Sequence, residues 1–310
     1  MKSPTTMAAK VAHYLAYRRS LGYELKTEGK ALADFARYAD RLGHRGSLTL
    51  ALALEWARLP TQAEPSYWAR RLDTVRGLAK YLLLEDPKTE VAPVRMLGPA
   101  CRRKAPHIYS LEEIAHVLRK AQRLPKEGIQ PLTIHTMIGL LASTGMRISE
   151  VLRLRVGDVD FKNDLITVRE SKFHKSRLIP LHITVAAKLA QYHKRRHRHF
   201  PCAESFFVSQ RGAPLPYGTI QRAFQELVQD IPSRGDRPRP RIHDLRHTYA
   251  CRVLTRWSKH PVILDQRILW LMHYLGHTHI SHTYWYLSAV PELLAQAAVH
   301  FEKHSKRVVL

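Results

Sequence analysis

Apolar residues recur at spacings of three and four along Val11 to Leu21, Ala31 to Leu42, Leu50 to Leu59 and Tyr67 to Leu84. That is the period of an amphipathic helix with one face turned to a core. The punctuation agrees with it. Gly22 and Gly43 stand where two of these helices would stop, Ser47 can cap the third, and Pro65 occupies a first-turn position that tolerates proline. The pattern therefore predicts a small four-helix unit over residues 1–86.

Periodicity then lapses. Pro87, Pro93, Pro99 and Pro106 punctuate residues 87–109 together with the run Arg102-Arg103-Lys104, which marks a linker. Ser110-Leu-Glu-Glu113 has the form of a capping box and opens a second unit over 110–310. Helical spacing returns near 131–143 and 147–154. Two β-type runs follow, LITVRE at 165–170 and RLIPL at 177–181, joined by the polar, basic tip SKFHKS of a hairpin. Beyond them the pattern is helical at 184–199, 218–230, 243–256, 266–275, 281–287 and 292–304, with one strand-like run, FFVS, at 206–209. The fold class expected is mainly α: an N-terminal four-helix domain, then a mixed α/β, mainly helical one.

Charge narrows the function. Lys plus Arg number 50 against 26 Asp plus Glu, a formal charge of +24. Residues 1–104 hold 19 basic and 10 acidic residues (+9), leaving 31 and 16 (+15) for the remainder, so both units are basic. The charges are interleaved with apolar residues at helical spacing, as on a folded surface that binds a polyanion, and are not gathered in a tail. The basic run Tyr192 to His199 is expected to be a DNA-backbone contact or a solvated face. Cys101, Cys202 and Cys251 form no CxxC pair and suit reduced thiols, and no run is long and apolar enough to span a bilayer. The first residues carry charge where a signal peptide needs an apolar run, so a cytoplasmic, DNA-associated protein is expected.

Three clusters carry chemistry. Thr144-Gly-Met-Arg-Ile-Ser-Glu150 places Arg147 and Glu150 three apart at the start of a helix, where a carboxylate can hold a guanidinium fork for a phosphate. His243-Asp-Leu-Arg246 repeats that spacing with an imidazole and a guanidinium. Leu275-Gly-His277 precedes Tyr286 by nine residues from the histidine.

In their order, TGMRISE, SKFHKSRLIPL, HDLRHT and LGHTHISHTYWY resemble the signature set of the tyrosine recombinases, also called the phage integrase family. The resemblance covers residues 107–300 directly, and the N-terminal helices look like that family's core-binding domain. It implies a site-specific recombinase or integrase that serves DNA integration or transposition of a mobile element. Arg147 and Arg246 would hold the scissile phosphate with His243 and His277, Glu150 would support Arg147, and Lys172 at the hairpin tip would be the general acid. Tyr286 would be the nucleophile and form a 3′-phosphotyrosyl bond. Partners would be double-stranded DNA with inverted half-sites and either a homo-tetramer or an assembly with related recombinases. The C-terminal helix at 291–301 would dock on a neighbouring protomer or simply complete the core.

Elementary chemistry agrees with those roles. Phosphoryl transfer is helped chiefly by positioning and by cations around the oxygens that gather charge, and a phenol of pKa ~10 needs such cations to become a nucleophile. Because the ester energy is kept in the phosphotyrosine, neither ATP nor a metal or other cofactor is expected. Some alternatives stay open. Lys175 competes with Lys172, since Ser171 and Phe173 replace glycines common beside that lysine, and Tyr284 competes with Tyr286. His273, His277, His279 and His282 could share a metal at helical spacing. A type IB topoisomerase uses a similar residue set, and a binding-only regulator would keep the fold without the chemistry.

Overall fold

The computed structural model describes residues 6–100, 105–124, 128–171, 175–232, 239–258, 264–277, 279–280, 283 and 286. The chain divides into two compact units, Met1–Arg103 and Lys104–Leu310.

The first unit holds α1 (Met7–Ser20), α2 (Lys26–Arg41), α3 (Leu50–Arg58) and α4 (Pro65–Leu82). Gly22 and Gly43 end α1 and α2 at positive φ, 85° and 67°, a region glycine enters without a Cβ penalty. The cap of α3 is Thr49, whose hydroxyl accepts from Leu52 N–H at 3.3 Å; Ser47, the cap expected from sequence, lies outside the helix. Asp40 of α2 accepts from Met7 and Ala8 N–H at 2.9 and 3.0 Å, placing a carboxylate at the positive end of α1.

Trp56 anchors this core. It is fully buried, packs edge-on against Phe35 at 5.3 Å and lies under the Arg71 guanidinium at 3.6 Å. Its indole N–H donates to Asp34 at 3.2 Å, so its one polar atom is satisfied.

The second unit is built around α6 (Gln130–Thr144), whose Ile134, Met137, Ile138, Leu140 and Leu141 are all buried, as expected of a helix apolar on most of its surface. Around it pack α5 (Leu111–Gln122), α8 (Ile183–His199) and α10 (Asp244–Ser258). The capping box at α5 forms: Ser110 accepts from Glu113 N–H, and Glu113 accepts from Ser110 N–H. After α7 (Ile148–Leu152) come one turn of 3-10 helix, Val156–Asp158, and an antiparallel sheet of order β1 (Val159–Asp160), β2 (Leu165–Ser171), β3 (Lys175–Pro180). Completing the described elements are α9 (Tyr217–Leu227) and α11 (Leu264–Leu275).

The FFVS run makes no strand. Val208 forms only an isolated bridge with Pro214, because Phe206, Phe207 and Val208 plug the core side by side without a neighbouring strand to extend along. On α8, Arg196 is also not on a solvated face. It is buried and donates to the carbonyls of Ala203 and Ser205, tying the loop after the helix back to it. Among the described residues no helix is long and apolar enough to cross a membrane.

Removing the Trp56 indole should cost the first unit about 3–5 kcal/mol, the usual range for a large aromatic deleted from a packed core. Urea denaturation of Trp56→Ala against wild type measures this, and a cost below about 1 kcal/mol would show that the indole is not its keystone.

Candidate active site

Gly145 closes α6 at φ 63°, with its N–H on Leu141 O. A Cβ there would also stand 2.5 Å from the Tyr249 ring, so glycine is required for both conformation and space. The reversal leaves Arg147 as the N-cap of α7 and Glu150 at the third helical position, accepting from Arg147 N–H at 2.9 Å. Glu150 also accepts from Arg147 Nη1 at 2.9 Å and, across both oxygens, from Arg177 Nη1 and Nη2 at 2.9 and 2.8 Å. Burial alone would raise this carboxyl. The hydrogen bonds and charge of Arg177, then those of Arg147, overcome that and hold its pKa at about 2.

Arg177 was not among the residues singled out by sequence. In the sheet it stands opposite Val168, two residues before the buried Ile179, so it points inward with the core face of β3 while Leu178 points out. An arginine at an inward strand position was the available signal, but Leu178 is apolar too, and RLIPL alone does not say which face is inside.

Three guanidinium groups meet three consecutive carbonyls at the end of α11. Arg177 Nε donates to Tyr274 O at 2.7 Å, Arg246 Nη2 to Leu275 O at 2.7 Å and Arg147 Nη2 to Gly276 O at 2.6 Å. These are the unsatisfied acceptors and the negative pole of the helix. The helix ends in a Schellman motif, Gly276 N–H on His273 O and His277 N–H on Met272 O, with Gly276 at φ 69°. This turn delivers His277 to Arg246, with Nε2 at 3.0 Å from Nη2.

Arg246 is buried, and Nη1 donates to Gly145 O at 2.8 Å. Its hydrogen bonds among the described residues go to carbonyls, the His277 ring and the phenol of Tyr286, never to a carboxylate. Burial, then the charge of Arg147, pull its pKa to about 10, which still leaves it charged at neutral pH. Such a cation is short of an anion.

Tyr286 is buried against this group. Its ring lies 5.4 Å from that of His247 and stacks on that of His277 at 6.0 Å. Burial raises the phenol pKa, while the charge of Arg246 and a hydrogen bond from it pull the other way. His243 meets His247 edge-on at 4.8 Å. The residue is exposed at the surface of the DNA-free chain, while its ring lies among neighbouring groups that desolvate it. That desolvation, then the charge of Arg246, lower its pKa to about 4, so it is neutral at pH 7.

The turn bearing His243 and Arg246 is fastened from the start of the unit. Tyr109 N–H donates to Thr248 Oγ1 at 3.0 Å, Tyr109 Oη to Arg241 O at 3.2 Å, and Arg252 Nη2 to Tyr109 O at 3.1 Å. Asp244, fully buried, accepts from Arg241 N–H and Nη2, both at 2.9 Å.

Of the residues expected from sequence, Arg147, Glu150, His243, Arg246, His277 and Tyr286 thus belong to one linked set of side chains. Lys172 lies outside the described residues, as do Tyr284, His282 and the helix at 291–301. Among the described residues no group of three or more metal-ligating side chains converges.

A family model described as the phage integrase family matches residues 111–292. The Sinorhizobium fredii protein y4rB is 37% identical over 96% of this chain and 98% of its own length. The tyrosine recombinase XerD of Bradyrhizobium diazoefficiens is 27% identical over 85% of each chain. Among solved structures, the Tn1549 transposon integrase in complex with transposon right end DNA aligns with a TM-score of 0.70 at 20% identity, over 96% of this chain and 99% of that one.

The Glu150 carboxyl has a folded pKa of about 2 against ~4.3 unfolded, so it adds stability above about pH 4.3 that fades as pH falls toward 2. Wild type should exceed Glu150→Gln by about 3 kcal/mol at pH 6 and by roughly half that at pH 3. Urea denaturation at the two pH values reads the gap, and a gap independent of pH would contradict the ion-pair account.

Proposed function

The chain belongs to the phage integrase family of tyrosine recombinases, and we propose that it cuts and rejoins DNA at specific sites through a 3′-phosphotyrosyl intermediate on Tyr286. The observation that carries this reading is Arg246: a buried guanidinium with no carboxylate hydrogen-bond partner among the described residues, hydrogen-bonded to the phenol of Tyr286. A phosphodiester supplies the missing anion and sets its phosphorus beside Tyr286 Oη.

In that complex Arg246 and Arg147 take the non-bridging oxygens, and their charge favours the phenolate. The phenolic proton passes to a neutral imidazole of the His243–His247 pair. Tyr286 Oη forms its bond to phosphorus as the bond from phosphorus to the 5′ oxygen breaks, and the leaving oxygen takes a proton from the hairpin-tip lysine, for which Lys172 is our assignment. One phosphate ester replaces another, so rejoining is attack by a 5′-hydroxyl on the phosphotyrosine, with no energy cofactor.

The N-terminal unit is proposed to bind the duplex as well, which its excess of basic over acidic residues supports. Protomers on inverted half-sites would then assemble as a tetramer, alone or with related recombinases. Integration or transposition of a mobile element is the proposed setting, supported by the fold shared with a transposon integrase.

Expression of wild type and Tyr286→Phe in cells, followed by denaturing recovery and sequencing of covalently attached DNA, tests this. Adducts at a few repeated sites with wild type alone are expected. Adducts that persist in Tyr286→Phe would move the nucleophile, and scattered nicks with relaxed plasmid but no exchange would favour a topoisomerase-like activity. Arg246→Lys should lower adduct yield about 10²- to 10³-fold, because an ammonium cannot reach the phosphate and the backbone acceptors together. Near-wild-type yield from that variant would remove Arg246 from the phosphate site.

A further inference from the structure

Thr283 lies three residues before the nucleophile, is fully buried, and was absent from the sequence-based set. Its N–H donates to Ile280 O at 2.8 Å, and its Oγ1 is 2.9 Å from Nδ1 of His277. On the far side of that ring Nε2 faces Arg246 Nη2 at 3.0 Å.

A guanidinium has donors and no acceptor, so Nε2 can take part in that contact only as a bare acceptor. For Nε2 to accept there, the DNA-free ring must be neutral with its proton on Nδ1, where Nδ1–H can donate to Thr283 Oγ1. In this state His277 has nothing to give a phosphate. To donate from Nε2 it must take up a proton there from solvent once the anion has drawn Arg246 toward itself, and the ring stays neutral only if the Nδ1 proton leaves to solvent in exchange. Keeping the Nδ1 proton as well would place an imidazolium beside the Arg246 cation. Losing it makes Nδ1 a buried acceptor, which needs a donor in place.

A hydroxyl can be either. We propose that Thr283 is a positioning residue that lets His277 exchange its proton from Nδ1 to Nε2 when a phosphodiester binds, accepting from Nδ1–H in the DNA-free state and donating to Nδ1 afterwards. This rests on the recombinase reading of the site.

Two measurements test it. Nitrogen NMR of the DNA-free protein labelled at histidine rings should show His277 neutral with its proton on Nδ1. A proton on Nε2, or a charged ring at neutral pH, would overturn the proposal whatever the activity. Second, Thr283→Ser keeps the hydroxyl and should give covalent adducts within about threefold of wild type, while the near-isosteric Thr283→Val should lose about 10- to 100-fold, the usual cost of removing a partner that orients a histidine. Thermal melting of both variants checks the fold, and a folded Thr283→Val as active as Thr283→Ser would overturn the proposal. If wild type forms no adducts, the recombinase reading fails, and the ring spectrum still decides the tautomer.

Discussion

One buried carboxylate holds the catalytic unit's charge in order. Glu150 receives the backbone N–H and the side chain of Arg147 and both terminal nitrogens of Arg177. Two guanidinium groups brought from a helix start and a strand would repel each other in a desolvated place, and the carboxylate between them turns repulsion into geometry. Everything else in the site leans on that arrangement. Arg147 and Arg177 reach the last carbonyls of α11 from fixed positions, the glycine turn after α11 sets His277, and His277 flanks Tyr286.

The charge count explains the division of labour. Arg177 is neutralised by Glu150 and serves as architecture. Among the described residues Arg246 donates to neutral acceptors and the phenol and to no carboxylate, so its charge is available to a ligand. Arg147 stands between, sharing Glu150 while keeping part of its surface open. Low basicity of His243 follows from desolvation of its ring first and from the charge of Arg246 second, which leaves it neutral beside the cations.

Much of this was legible in the sequence because it is local. The capping box at Ser110, the glycine stops and the apolar helical stripes are contacts within a few residues, and the structure realises them with shifts of a few positions at helix ends. Ordered motifs also pointed to the polar residues that the fold gathers. What sequence did not disclose is long-range or two-sided. Arg177 needed the inward face of β3, Tyr109 needed a partner 139 residues away, and Thr283 needed the ring it touches. FFVS has the composition of a strand, yet three buried side chains in a row serve a core plug as well as a sheet.

The three arginines at the end of α11 grip backbone oxygens, and a carbonyl cannot be deleted by changing a side chain. The acceptors the arginines see therefore do not depend on which side chains stand at 274 and 275, where core packing is what constrains the choice: Leu275 is buried and Tyr274 stacks on Tyr249 at 5.7 Å. Position 276 is closed to a side chain by the grip itself, since a Cβ there would crowd Arg177 and Arg147 at 3.1 and 3.2 Å. A lineage of such chains is thus free to remodel the outer face of this helix, and with it whatever the helix meets, while the chemistry beneath it stays in register.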